Sequence, residues 1–344
     1  MTAVVAPPAR RTVANDRARA VLRARELGIV FVLAVVFGLT TLKNPNFANG
    51  ASVRQLLAGA SLVALLGVGQ TLVVVTRNVD LSVGSVLGLS AYLVGKLFVH
   101  DPHTPILLAF ALGLLVGLGV GAINGIITTA TRVPSLVVTL AMLYIVRGVD
   151  AKIVNGKQID PTSIPRSFQA VGFRSLFGVP WIALIVAVIV AVVGYGMRTF
   201  RAGRDLYAIG SNPEAATLAG LPSGRRIFGA FVISGGLAGV GGALFLAQFA
   251  TVSAVGGVGY ELNVVAAVVV GGVAIFGGSG TVFGAALGAL LLNTINQALV
   301  AAKVSAFWNQ AVAGALLLAA ISFDRWLSLR VERLQSSRGE RHVL

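Results

Sequence analysis

Apolar runs of bilayer length follow one another along most of this 344-residue chain. A hydrocarbon core about 30 Å thick is crossed by about 20 helical residues. Segments 28–42 (rather short), 53–76, 81–99, 105–130, 135–149, 181–197, 227–250, 262–276, 282–302 and 306–326 suit that role. Turn signals separate them: KNPNFANG after the first, HDPHTP after the third, TRVP after the fourth and GGSGT before the ninth. The expected fold is an all-α polytopic membrane protein of about ten transmembrane helices. Broken or re-entrant crossings are compatible with the pattern wherever protein covers the backbone.

Composition excludes a single soluble core. The chain is 56% hydrophobic and 11% charged, against about 45–50% and about 25% for soluble domains. Its formal charge of +15 does not point to nucleic acid, because the charges cluster between apolar segments with no basic stripe or interleaved aromatics. The absence of cysteine removes disulfides, thiolate chemistry and cysteine metal sites. His100, Asp101 and His103 share one loop, read as solvated, and no metal site is expected.

Four polar segments remain. Residues 1–26 carry six arginines from Arg10 to Arg25, and no cleavage site follows the first apolar run. Residues 150–178 hold Lys152, Lys157, Arg166 and Arg174, with Phe168, Phe173, Phe177 and Trp181 placed to form an interface belt. Residues 327–344 make a basic tail. In residues 198–226, Asn212 is positioned to cap a helix starting at Pro213, with Glu214 in its first turn. Pro222 and Gly224 end that helix after little more than two turns. Ten crossings put both termini on one side. If that side is the cytoplasm, it receives most of the 27 basic residues, as the positive-inside rule requires. The expected layout is a cytoplasmic 1–26, a membrane domain over 27–326 with an external loop at 150–178 and a cytoplasmic loop at 198–226, and a cytoplasmic tail.

Ionisable groups inside the spans would mark an enzyme or an ion-coupled carrier, and they are scarce. Asp80 and Glu261 both fall near helix starts, where capping accounts for them, with a gating role as the alternative. The glycine-rich GGVAIFGGSG lacks the Lys-Ser/Thr pair of a nucleotide loop. Neutral polar residues are commoner: Gln70, Asn124, Gln248, Asn293, Asn296 and Gln297. They suit a translocation pathway for a neutral polyhydroxy solute and equally suit helix-to-helix bonding. Gly113, Gly117, Gly121 and Gly125, and again Gly280, Gly284 and Gly288, fall four apart and read as packing stripes. With no nucleotide loop and no ion relay, the driving force is expected from another subunit acting on the 198–226 loop. An ion-coupled carrier working alone is the alternative of another class.

Four blocks carry a resemblance: GQTLVVVTRNVDLSVGS (69–85), GAINGIITTATRVPSLVVTLAMLYIVRG (121–148), GRDLYAIGSNPEAATLAG (203–220) and YELNVVAAVVVGGVAIFGGSGTVFGAALGALLLN (260–293). In this order they resemble the permease subunit of ribose-type carbohydrate ABC importers, a type II importer-like architecture, over roughly residues 28–326. The resemblance implies a permease dimer of two identical or two related chains, two cytoplasmic ATPases and an extracytoplasmic sugar-binding protein in a bacterial inner membrane. It implies that Asn212, Pro213, Glu214, Ala215, Ala216 and Gly220 face the ATPase, that ATP and Mg are bound there and not by this chain, and that solute passes by alternating access. Arg77-Asn78 departs from the family, which commonly has glycines there. The ending FWNQAVAGALLLAAISFD is similar to permeases for rhamnose-like sugars and for the furanosyl compound autoinducer-2. Permeases for branched-chain amino acids or nucleosides share a distant architecture and are the nearer alternative.

Overall fold

The computed structural model describes residues 11–305 and, beyond them, helical positions 308, 311, 312, 314–316, 318, 319 and 322. Most of the expected tenth span and the whole 327–344 tail lie outside the described residues. In chain order the helices are α1 (Arg11–Lys43), α2 (Gly50–Val74), α3 (Val83–His100), α4 (Ile106–Thr131) and α5 (Ser135–Val154). A 3₁₀ turn at Pro161–Ser163, α6 (Arg166–Phe173) and a hairpin of β1 (Ser175–Leu176) and β2 (Val179–Pro180) follow. Then come α7 (Trp181–Thr199), α8 (Arg201–Ser211), α9 (Pro213–Leu218), α10 (Ser223–Phe249), α11 (Tyr260–Val270) and α12 (Val282–Ala301).

Among the described residues seven helices are long and apolar enough to cross a membrane: α1 from Glu26, α2, α3, α4, α7, α10 and α12. Local chemistry sets their ends. The Asn49 carboxamide accepts from the Ser52 N–H (2.8 Å) at the start of α2, and the Thr281 hydroxyl accepts from the Gly284 N–H (2.8 Å) at the start of α12. Arg132 turns left-handed at φ 59° to end α4 ahead of Pro134.

Helix α10 is the hub, packed on α4, α3 and α2. The first glycine stripe explains how closely α4 approaches it. A Cβ at Gly113 would meet the Gly239 carbonyl, and one at Gly121 or Gly125 would meet the Phe231 carbonyl or the Phe228 ring. The second stripe does the same only in part: Gly284 and Gly288 face Gly271 and the Ala267 carbonyl, but Gly280 lies in the loop before α12 at φ 126°.

Two interruptions matter for the site. Non-helical residues 75–82 follow α2, with Thr76, Asp80 and Ser82 buried. Residues 250–259 follow α10 and run inward along α3: Gly256 lies against Gly88, and Gly257 against Gly84. Helix α11 begins there, and its 11 residues span about 16 Å, about half of a hydrocarbon core. It stops at Val270 because Gly271 packs on Gly284 and Gly272, at φ 95°, turns the chain. The expected eighth span over 262–276 is thus a half-length helix followed by a returning loop.

The 150–178 segment also differs from a plain loop. Helix α5 continues to Val154, so Asp150 is fully buried. Phe168 does not reach an interface belt: it is fully buried and stacks on Phe98 (ring centroids 4.7 Å apart) and Phe110 (5.8 Å). Phe173, Phe177 and Trp181 are exposed. His100, Asp101 and His103 are exposed in their loop, where the Asp101 carboxylate accepts from the His103 N–H (2.9 Å).

Candidate functional site

A cavity of about 270 Å³ opens between α2, α10, α11 and α12, at the end of the bundle opposite α9. Its polar lining is Gln55, Gln248, Asn263, Asn293, Asn296 and Gln297, with Tyr260 at its inner end. Every charged group among the described residues lies off this lining. Gln248 has its carbonyl oxygen buried without a partner, while Asn293 donates to the Leu56 carbonyl (2.7 Å) and so presents its remaining lone pairs inward. An adjoining cavity of about 360 Å³ shares Gln55, Gln248 and Phe249 and adds Arg54, Phe173 and Pro180. The two form a passage from the helix ends to the start of α11. Side-chain amides both donate and accept, which matches the mixed hydrogen-bonding of hydroxyl groups.

Of the six neutral polar residues singled out in the sequence, Gln248, Asn293, Asn296 and Gln297 come together here. Gln70 and Asn124 do not. Both hold the 75–82 interruption. The Gln70 amide, with its nitrogen toward the Asp80 carbonyl, donates to that oxygen (3.0 Å) and accepts from the Asp80 N–H (3.2 Å). Asn124 donates to the Ser82 hydroxyl (2.9 Å), which itself donates to the Asp80 carboxylate (2.6 Å). The other Asp80 oxygen accepts from Ser234 on α10 (3.1 Å). Asp80 therefore knots four segments at the start of α3. Gln70→Leu leaves one buried donor and one buried acceptor unpaired, at about 1–3 kcal/mol each. A fall in the thermal unfolding temperature in detergent, with no change at the Gln248 cavity, is the expected reading.

Gln55, Tyr260 and Asn263 are the polar lining residues that the sequence pattern missed. Asn263 alone left a signal, as an amide inside an apolar run. Glu261 lies beside the cavity rather than in it. Its carboxylate accepts from the Gly259 N–H (3.1 Å) in the first turn of α11, and its second oxygen is 3.9 Å from Arg147 Nη2.

At the opposite end sits the 198–226 loop, which forms two helices rather than one. The Asn212 side chain accepts from the Ala215 N–H (3.0 Å), Pro213 is the first residue of α9, and Glu214 is exposed in its first turn. Gly220, at φ 72°, closes α9 with Leu221 donating to the Ala216 carbonyl (3.0 Å). Only Ala216 of α9 is buried, and Leu218 is 90% exposed. Helix α8 was not legible beforehand. It turns Leu206, Ile209 and Gly210 into the bundle, and Asp205 pairs with Arg226 (2.8 Å). Gly210 seats directly on the Val75 carbonyl, and Arg77 donates to the Gly210 (2.6 Å) and Ser211 (2.9 Å) carbonyls. Arg77 itself takes φ 66°, a left-handed turn that glycine would adopt without strain. Tyr207 donates to the Gly280 carbonyl (2.9 Å), and burial pushes its hydroxyl up to about 12, so it stays a donor.

Residues 52–321 match the family described as branched-chain amino acid transport system / permease component. The chain belongs to that family. It is a multi-pass inner-membrane permease subunit of the ABC importer class. The permease is 33% identical to the autoinducer 2 import system permease protein LsrC of Enterobacter sp. (strain 638), over 94% of this chain and 96% of that protein. It is 34% identical to the protein of that name from Yersinia enterocolitica, over 90% and 85% of the two chains, and 33% identical to that of Photorhabdus luminescens, over 91% and 94%. No solved structure matches it.

Proposed function

We propose that this permease moves a neutral monosaccharide inward, a pentose, a deoxyhexose such as rhamnose, or a furanosyl compound of the autoinducer-2 kind. The observation that supports the reading is the amide-lined, uncharged cavity at the inner end of the passage. A branched-chain amino acid would bring two charges into that cavity, where none of the lining groups complements them. The proposed assembly is two permease chains, two cytoplasmic ATPases that bind ATP and Mg and seat on α9, and an extracytoplasmic binding protein at the cavity mouth. Ten crossings with both termini cytoplasmic are consistent with it, because they put α9 inside and Gln55 outside. ATP-driven closure of the ATPases then moves α8–α9 and re-tilts the bundle in alternating access.

The test is uptake of labelled ribose, rhamnose and autoinducer-2 by proteoliposomes holding permease, ATPase and binding protein. Gln248→Ala and Asn296→Ala are each expected to slow uptake about tenfold, the consequence of about 1.4 kcal/mol lost in solute contact, with insertion unchanged. Transport by the permease alone under a proton or sodium gradient would sink the proposal.

A further inference from the structure

Four polar atoms in one small region of the bundle are buried without a hydrogen-bond partner: Arg147 Nη2, Glu261 Oε2 and both carboxylate oxygens of Asp150. Arg147 and Asp150 are three apart on α5 and so share a face. Arg147 reaches across to the second interruption, donating from Nη1 to the Gly256 carbonyl (2.5 Å). Its other amino group stands 3.9 Å from Glu261, beyond hydrogen-bond length. Tyr92, the remaining polar side chain of this region, is turned to the Val154 carbonyl (3.4 Å). Asp150, with no exposed surface, makes no hydrogen bond, although the Arg147 charge is near enough to act on it.

A buried carboxylate without a hydrogen bond is costly, and the guanidinium one turn away on its own helix is the group able to supply one. We propose that Arg147 is a positioning residue with two alternative anchors: Gly256 and Glu261 in the conformation seen here, Asp150 in the other limb of the transport cycle. The first anchorage pins residues 250–259 to α5 and thereby sets the start of α11, whose Tyr260 and Asn263 line the inner end of the cavity. Transfer of Arg147 to Asp150 frees that segment. The segment lies close on α3 at these glycines: Gly257 is against the Gly84 carbonyl and Gly88 against the Gly256 carbonyl. The Glu261 carboxylate rests on Gly84 and the Arg147 guanidinium lies beside Gly88, so the two anchor side chains sit in the seam that the exchange would loosen. The inference deepens the importer reading, and its link to uptake rests on that reading.

The absence of native cysteine permits a clean spin-label pair at Tyr144→Cys on α5 and Val258→Cys in the 250–259 segment, both exposed. In the purified full-length permease alone, Glu261→Gln weakens the first anchorage, and the label distance is expected to shift. Adding Asp150→Asn should cancel that shift, because the second anchor is then gone. In the complete importer, Asp150→Asn is expected to cut rhamnose or autoinducer-2 uptake about tenfold or more, and Asp150→Glu to restore most of it. Uptake is read per quantified inserted permease, so loss of the protein does not mimic this result. An unmoved distance in Glu261→Gln, a shift that survives in the double variant, or normal uptake in Asp150→Asn overturns the proposal. If the unmodified importer takes up no sugar at all, the solute reading fails, and the label distances still decide the exchange.

Discussion

Glu214→Lys abolishes ATP-driven uptake while the permease still inserts and folds; that is the expected result, and it follows from how little of α9 the bundle uses. Every residue of that helix except Ala216 is exposed, Leu218 almost entirely. Stability alone cannot account for such a surface, because reversing a charge in an exposed first turn costs only about 0.3–1 kcal/mol. Loss of uptake with a wild-type unfolding temperature therefore reports a lost partner. Gly220→Trp makes the same point through the backbone. A Cβ there meets nothing within 4 Å, so the substitution is not excluded by space. Its cost is the left-handed φ of 72°, about 1–2 kcal/mol for an L side chain, plus a bulky group set against the docking face. Wild-type uptake in either variant, measured beside quantified membrane insertion, removes α9 from the drive.

Gly117→Val is expected to destroy the fold outright. A Cβ at Gly117 would overlap the Gly235 carbonyl and press on the Gly239 N–H, in the seam where α4 meets the central helix. Neither contact can yield, since both are helix backbone, so a loss of more than about 4 kcal/mol is expected. The reading is disappearance of the monodisperse protein in detergent. Gly119→Ala is the control, two positions away on the same helix, where a Cβ meets nothing within 4 Å. It is expected to be neutral or to stabilise by up to about 1 kcal/mol. Equal behaviour of the two variants would show that the glycine spacing does not set the helix approach.

Much of this was legible in the chain itself, and the exceptions have a common cause. Helix existence followed from apolar length, as with α2 and α10, and the cap at Asn212 followed from local chemistry. The stop expected at Pro222 and Gly224 falls earlier: α9 ends at Leu218, Gly220 turns left-handed, and Gly224 already belongs to α10. The roles of Gln70 and Gln248 could not be separated, because both are amides in apolar surroundings and only tertiary placement tells a helix tie from a cavity wall. The same holds for Phe168, whose spacing from Phe173 says nothing about Phe98 on another helix. Residues 262–276 looked like one crossing because hydropathy averages over the turn at Gly271–Gly272. Asp150 was counted with a polar loop since its neighbours Lys152 and Lys157 are polar, although α5 carries it inward. Helix α8 escaped notice for a related reason: a short amphipathic helix at a membrane surface has neither a long apolar run nor a capping signature.

The seat of α8 has a mechanical corollary. Its last turn bears on the Val75–Arg77 corner through Gly210 and holds the loop before α12 through Tyr207, while the Gly278 N–H donates to the Val75 carbonyl (2.9 Å) between them. The last turn of α8, the corner after α2 and the loop before α12 are thus tied to one another by side-chain and backbone bonds. If the proposed drive holds, force reaching α8 arrives at both polar corners together, since each is bonded to it and to the other.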